Sequence, residues 1–191
     1  WLCGLFASLL NLPIFLLGAL WGNLYLVQVY GLNRVDASII TTMLYIGMLV
    51  GSPVFGKISD MIHSRKKPML IGNLICLFAL LYVAENTSMP FISLFFLFFI
   101  IGFGSSAQII VYPTVAESNP KYLTGSAEGL AAVLIMSGGA VFQPVFGWLM
   151  ERNWDGKIID GIPQYTFHNF HSALMLILIS MLVCLVTLFL M

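Results

Sequence analysis

The chain has 191 residues, of which 60% are hydrophobic and only 8% are charged, and its formal net charge is zero. A soluble domain carries roughly 25% charged residues because its surface faces water, so this composition predicts a chain whose outer surface contacts lipid. The zero net charge argues against nucleic acid as a partner.

Six apolar runs are long enough to cross the hydrocarbon core of a membrane, which takes about 20 helical residues. Backbone polar groups in lipid must be satisfied within each segment, and the sequence shows no barrel-like alternation, so we predict an all-α membrane protein. The predicted segments are 4–30, 36–56, 68–84, 90–115, 125–150 and 169–191, with a turn-rich outer loop at 151–168.

The first segment carries large polar side chains on one helix face. Trp21 and Gln28 are seven residues apart and share that face, Tyr25 lies between them, and Pro13 and Gly22 allow the helix to bend. Such groups cost about 1–3 kcal/mol each in lipid unless they are bonded. They therefore serve either as hydrogen bonds between helices or as the lining of a wet cavity.

The second segment combines hydroxyl groups with glycines. Tyr45 and the neighbouring Thr41 are candidates for the same lining, whereas Gly47, Gly51 and Gly56 predict the close approach of another helix.

The fourth and fifth segments supply the other polar candidates. Ser105, Gln108 and Tyr112 follow an i, i+3, i+7 spacing, which places them on one face of the fourth helix, and Gln143 precedes Pro144 in the fifth. The candidates for solute contact are Trp21, Tyr25, Gln28, Tyr45, Gln108, Tyr112 and Gln143.

Charged residues at one membrane edge form a second candidate site. Asp60 and Arg65 follow Gly56 in the loop after the second segment, and Glu117 lies in the loop after the fourth segment at the same edge. A carboxylate here can pair with an arginine or accept bonds from a helix N-terminus, and such a contact, made in only one helix arrangement, acts as a latch. The alternative is a solvated loop whose charges only set topology. We expect Asp60, Arg65 and Glu117 to cluster, with Lys66 beside them.

The same loop determines the predicted orientation. The loop at 57–67 holds four of the eight basic residues, and Lys121 lies on the same side, whereas the other three basic residues lie opposite. Because basic loops stay in the cytoplasm, we place both chain ends there, in a cell inner or plasma membrane.

Gly56-x-x-x-Asp60, followed by Arg65-Lys66, resembles the signature Gly-x-x-x-Asp-x-x-Gly-Arg-Lys/Arg of the major facilitator superfamily. His63 stands where that signature has its second Gly, and Ser64 where it has its first Arg. The copy in the C-terminal half of family members is the looser one, so the resemblance implies helices seven to twelve. The stretches 117–129 and 137–147 resemble the entry and the Gly/Pro-rich body of the family's eleventh helix.

The resemblance implies half of a transporter, built from two inverted three-helix repeats, with the solute held near mid-membrane against an N-terminal half. It implies alternating access for a small polar solute and no cofactor, with proton or sodium coupling left open. The polar candidates include no buried Lys or Arg, which favours a neutral or zwitterionic solute. We also expect a longer parent protein, because the chain opens inside an apolar run.

Glu128 lies inside the fifth predicted helix, about one turn from the cytoplasmic end. It fits both an acid that stabilises a helix N-terminus and a gating or proton-coupling group. His168 and His171 suit the membrane interface, and no metal site is expected. The alternatives are a complete six-helix oligomeric carrier or a channel, and an intramembrane enzyme. The enzyme is disfavoured because no His falls at a helix centre.

Overall fold

The computed structural model describes residues 1–152, 154–159 and 161–191. Within those ranges, six helices are long and apolar enough to cross a membrane, and each overlaps one predicted segment. The all-α membrane fold predicted from the sequence is therefore confirmed. The helices are α1 (Leu2–Tyr30), α2 (Arg34–Met61), α3 (Lys66–Glu85), α4 (Phe91–Glu117), α5 (Lys121–Glu151) and α6 (Phe167–Leu190).

The helices pack in a pattern that repeats after three. Helix α1 packs on α5 as α4 packs on α2, α1 contacts α6 as α4 contacts α3, and α3 and α6 pack on each other. Exchanging α1–α3 for α4–α6 preserves these contacts. Since each unit crosses the membrane three times, the second unit runs in the opposite direction, which is the arrangement of inverted three-helix repeats.

Helices α2 and α4 pack closely at two glycines of α2. A Cβ at Gly47 would overlap the carbonyl oxygen of Phe99, and one at Gly51 would overlap the hydroxyl of Ser106. Gly56 differs, because no described atom lies within 4 Å of a Cβ built there. The expectation of close helix packing at Gly56 is wrong, since open space surrounds that position of α2.

Helix α1 is irregular near its middle. Pro13 has no N–H group to donate, and beyond it the helix widens into a π-helical segment at Ile14–Trp21. The N–H of Gly22 closes this segment by donating to the carbonyl of Leu17, and a Cβ at Gly22 would overlap that carbonyl. Regular α-helix precedes the π-helical segment at Leu2–Leu10 and follows it at Gly22–Tyr30.

Helix α4, which takes the place of α1 in the second repeat, is also interrupted. It tightens into a 3₁₀ segment at Ser106–Ile110, between α-helical stretches at Phe91–Ser105 and Val111–Glu117. Both repeats thus begin with a helix that loses its regular hydrogen bonding partway across the membrane.

The loop between α5 and α6 contains a small hairpin. Strand β1 (Ile158–Ile159) pairs antiparallel with β2 (Ile162–Pro163), so a short ladder stands where the sequence predicted only turns. Asn153, part of a predicted turn, and Asp160 lie outside the described residues. The hairpin lies at one end of the bundle, called the hairpin end below. Residues 60–65 and Glu117 lie at the other end, called the charge end.

Candidate functional site

The middle of α1 lies at the surface between α2 and α5. On the α2 side, the Nδ2 of Asn23 donates to the Oγ of Ser38 over 2.8 Å. One turn away, the phenol of Tyr45 lies over Gly18, 3.0 Å from the position of a Cβ there. Tyr45 remains 44% exposed, so its hydroxyl borders open space on this face.

The α5 side of the same face is built from aromatic and amide groups. The ring of Trp21 lies 5.6 Å from that of Phe146, and Gly147 leaves room for the indole. The Nε2 of Gln143 donates to the carbonyl of Phe15 over 3.4 Å, and the described residues make no other hydrogen bond to this amide. We call the surface formed by Gly18, Trp21, Asn23, Tyr45 and Gln143 the central face.

Trp21 contributes an unsatisfied donor to the central face. Its Nε1 is buried and has no hydrogen-bond partner among the described residues. Buried donors are nearly always paired in folded proteins, so an unpaired one needs a reason. A bound solute or water would satisfy it.

Gln28 shares the α1 face of Trp21, as the sequence predicted, but its amide is bonded to the loop. Its Nε2 donates to the carbonyl of Pro163 over 2.8 Å, and its Oε1 accepts from the N–H of Tyr165 over 2.9 Å. Tyr25 is fully buried, and its hydroxyl donates to the carbonyl of Val83 in α3 over 3.1 Å. Both side chains are occupied by protein contacts in this arrangement.

Gln108 also lies inside the bundle. Its Nε2 donates to the Oδ1 of Asn11 over 2.8 Å, and both residues are buried. This bond joins the 3₁₀ segment of α4 to the turn before the π-helical segment of α1. Tyr112 is half-buried beyond that 3₁₀ segment, packed against the core, and the structure does not bring it to the central face.

Three charged side chains meet at the charge end. The guanidinium of Arg65 donates from Nη2 and Nε to the two oxygens of Glu117, over 2.6 and 3.2 Å. Its Nη1 donates to Asp60 over 2.6 Å and to the hydroxyl of Ser59 over 2.8 Å. These bonds to Glu117 and Asp60 raise the pKa of Arg65 above its usual value, so the cluster holds a permanent cation. Arg65 thereby ties the ends of α2 and α4 together.

The other predicted members of this site lie apart. Lys66 is exposed at the start of α3, Gly56 faces open space on α2, and Glu128 is half-buried about one turn into the α-helical part of α5. Among residues 1–152, 154–159 and 161–191, no group of three or more His, Cys, Asp or Glu side chains could hold a metal ion.

Sequence reasoning missed three residues that organise these sites. Asn11 is a lone amide in an apolar run, and its signal was that a polar side chain among membrane helices needs a hydrogen-bond partner. Ser59 directly precedes Asp60, and this position in the sequence could have indicated that both bind Arg65. Tyr165 carried no usable signal, because its contacts with Gln28 and Trp21 join positions more than 130 residues apart.

Comparison with known proteins gives two matches. The family model described as Major Facilitator Superfamily matches residues 2–191. A curated relative, the membrane sensor protein UhpC of Escherichia coli (strain K12), is 31% identical over 152 residues, covering 73% of this chain and 33% of the relative. The chain thus matches about a third of the relative's length. The match along nearly the whole chain, together with the six-helix fold, shows that this multi-pass membrane protein belongs to the Major Facilitator Superfamily.

Proposed function

We propose that this chain is the C-terminal six-helix half of a transporter that carries a small polar solute across a membrane by alternating access. Family membership points to solute transport rather than to an enzyme. The observation that carries the proposal is the pair of interrupted helices, α1 and α4, joined at their irregular segments by the Asn11–Gln108 bond. Interrupted helices at mid-membrane are where transporters of this kind bind their substrates.

The central face is the proposed solute site. It offers an indole N–H from Trp21, a hydroxyl from Tyr45, a partly free amide from Gln143 and the amide oxygen of Asn23. These groups are uncharged, so they suit a neutral or zwitterionic solute that exchanges hydrogen bonds with water for hydrogen bonds with the protein. Gln28, Tyr25 and Gln108 support this site through protein contacts. Tyr112 stays a candidate on α4.

The Asp60–Arg65–Glu117 cluster is the proposed latch. All three side chains belong to one half, so the cluster fixes the charge end of α2 against that of α4. A movement of α4 relative to α2 has to break charge-assisted bonds to Arg65, and these are stronger than neutral ones. The latch therefore favours the arrangement in which both repeats are locked together at this end. Lys66 and Gly56 border it in sequence.

The proposed partner is an N-terminal half of the same transporter. Helices α2 and α5 flank the central face and are the least enclosed, with only 33% and 28% of their most apolar windows buried, against 50–67% for the other helices within the described residues. A second six-helix unit facing α1 would cover these surfaces and enclose the solute. The charge end is proposed to be cytoplasmic, because most of the basic residues lie there. A plasma or inner membrane is the proposed location.

Solute uptake by the intact parent protein in sealed vesicles tests this function. Candidate solutes are added one at a time while internal pH and accumulated labelled solute are followed. Uptake accompanied by a pH change shows proton coupling, and Glu128→Gln is then the first variant, since Glu128 is a candidate coupling group. Uptake without a pH change shows facilitated diffusion or coupling to another ion such as sodium. If no solute class is taken up, the transport proposal is overturned.

A membrane sensor is the second candidate, because the curated relative carries that name. A sensor would bind its solute at the same central face without releasing it on the other side. Saturable solute binding with no accumulation in vesicles would favour the sensor. A complete six-helix carrier or channel would instead give flux from a chain of this length alone.

A further inference from the structure

The hairpin loop ends in a short segment that lies over the outer third of α1. We call residues 162–166 the strap. The strap is stiffened from its own loop, because the Nε1 of Trp154 donates to the carbonyl of Gln164 over 2.8 Å and the N–H of Gln164 donates to Lys157 over 2.9 Å. These two bonds tie the strap to the rest of its loop.

The Gln28 side chain is hydrogen-bonded to the backbone of the strap. In an extended chain, the C=O of one residue and the N–H of the second residue after it point to the same side. Pro163 and Tyr165 present such a pair, and the Gln28 amide fills it with one donor and one acceptor at 2.8 and 2.9 Å. A carboxamide is the side chain that mimics a neighbouring strand in this way.

Tyr165 connects the strap to the central face. Its ring is 8% exposed and lies 6.2 Å from Trp21 and 6.0 Å from Phe170, in edge-on contact with both. Trp21 ends the π-helical segment, and its buried indole N–H has no hydrogen-bond partner among the described residues. The strap thus packs against the hairpin side of this residue of the central face.

A hollow beside the strap borders the same part of α1. A cavity of about 600 Å³ opens at the hairpin end between α1, the start of α2 and the hairpin. Leu20, Asn23 and Gln28 of α1 line one wall, and Ile162 and Gln164 of the strap line the other. Leu20 directly precedes Trp21 in α1, so the hollow lies beside the residue against which Tyr165 packs.

We propose that the strap is a gate over the hairpin side of the central face, that Tyr165 is its plug, and that Gln28 is the positioning residue that holds it closed. The gating role rests on the proposed transport function, whereas the holding of the strap by Gln28 does not. Gln28 acts on the strap backbone and through it on Tyr165. It is not a solute ligand in this closed arrangement.

Thiol labelling tests, without any solute, whether Gln28 holds the strap closed. Ile162→Cys, half-buried on the strap, and Ile159→Cys, exposed on β1, are placed in the intact protein in detergent after the native cysteines are replaced, and maleimide labelling rates are compared. Gln28→Leu removes both bonds and is expected to raise the rate at Ile162→Cys by roughly tenfold or more while leaving Ile159→Cys unchanged. Gln28→Glu keeps only the acceptor for the N–H of Tyr165 and is expected to give an intermediate rate.

Gln143→Leu is the matched control, because it removes an amide from the central face that has no bond to the strap. An unchanged labelling rate at Ile162→Cys in both Gln28 variants would overturn the role of Gln28 in holding the strap. Equal increases in Gln28→Leu and Gln143→Leu would overturn it too, since that result means general loosening. The labelling result is independent of uptake. If Gln28 holds the strap but the protein carries no solute, only the transport proposal is overturned.

Discussion

At the residue scale, a few polar side chains decide how the helices are held. Arg65 is the clearest example, because one planar guanidinium satisfies two carboxylates and a hydroxyl at once. Lysine carries the same charge but presents it as a single point and cannot form the paired bonds to Glu117.

Arg65→Lys is therefore expected to weaken the latch while keeping the charge of the loop. We expect the solute uptake rate of the intact protein to change by roughly tenfold, with protein abundance unchanged, because paired charge-assisted bonds are lost. Lys57→Arg, at an exposed site near the end of α2, is the control. Wild-type uptake by Arg65→Lys would show that the cluster only helps to set topology.

The buried Asn11–Gln108 bond makes a second prediction at this scale. Asn11→Leu or Gln108→Leu leaves one amide without its partner inside the bundle, and hydrogen bonds between membrane helices contribute about 0.6–1.7 kcal/mol. We expect each single variant to lower the thermal midpoint in detergent. The double variant should be less destabilised than the sum of the two, since it leaves no unpaired amide. Strictly additive losses would mean that the two residues act independently.

At the element scale, the proposed function rests on the irregular segments of α1 and α4 rather than on the regular helices around them. Pro13 removes one hydrogen bond, and the N–H of Gly22 donates to the carbonyl of Leu17 at a position where any side chain would collide with that carbonyl. These features keep the middle of α1 from forming a regular α-helix. A regular helix of this length would be stiffer.

Gly22→Ala tests this role. Its Cβ would overlap the Leu17 carbonyl, so α1 has to shift, at a cost of about 1–3 kcal/mol. We expect a lower thermal midpoint together with faster hydrogen exchange along α1. Gly125→Ala in α5 is the matched control, because open space surrounds that position and alanine favours helix. Identical behaviour of the two variants would contradict a special role for the π-helical segment.

At the scale of the whole molecule, the two ends of the bundle differ in chemistry. The charge end carries the loop at 57–67, with exposed His63 at its tip, and the hairpin end carries Lys157. Under the proposed orientation, the first faces the cytoplasm and the second faces outside. The six crossings require only that these two loops lie on opposite sides.

His63→Cys and Lys157→Cys are expected to show opposite accessibility in intact cells. A membrane-impermeant maleimide should label Lys157→Cys at once and His63→Cys only after permeabilisation, because both side chains are exposed and separated by the bilayer. The reverse pattern would invert the proposed orientation and leave the fold intact. Labelling of both sites in intact cells would contradict the six-helix topology.

The sequence by itself determined the membrane-spanning class, the six helices and the family resemblance. Chain composition and the length of apolar runs are set by the lipid environment and can be read locally. It also placed Asp60, Arg65 and Glu117 at one edge, since residues near helix ends on the same side must lie at a similar depth. The breaks in α1 were signalled by Pro13 and Gly22, although their π-helical form was not.

Only the tertiary structure decided which polar groups are free and which are bonded. Tyr25, Gln28 and Gln108 looked alike in sequence to Tyr45 and Gln143, because each is a polar side chain on an apolar helix. Their partners lie 58, 135 and 97 residues away and depend on how the helices pack. A hydrogen bond across such distances is a property of packing geometry, and periodicity along one helix carries no information about the helix that faces it.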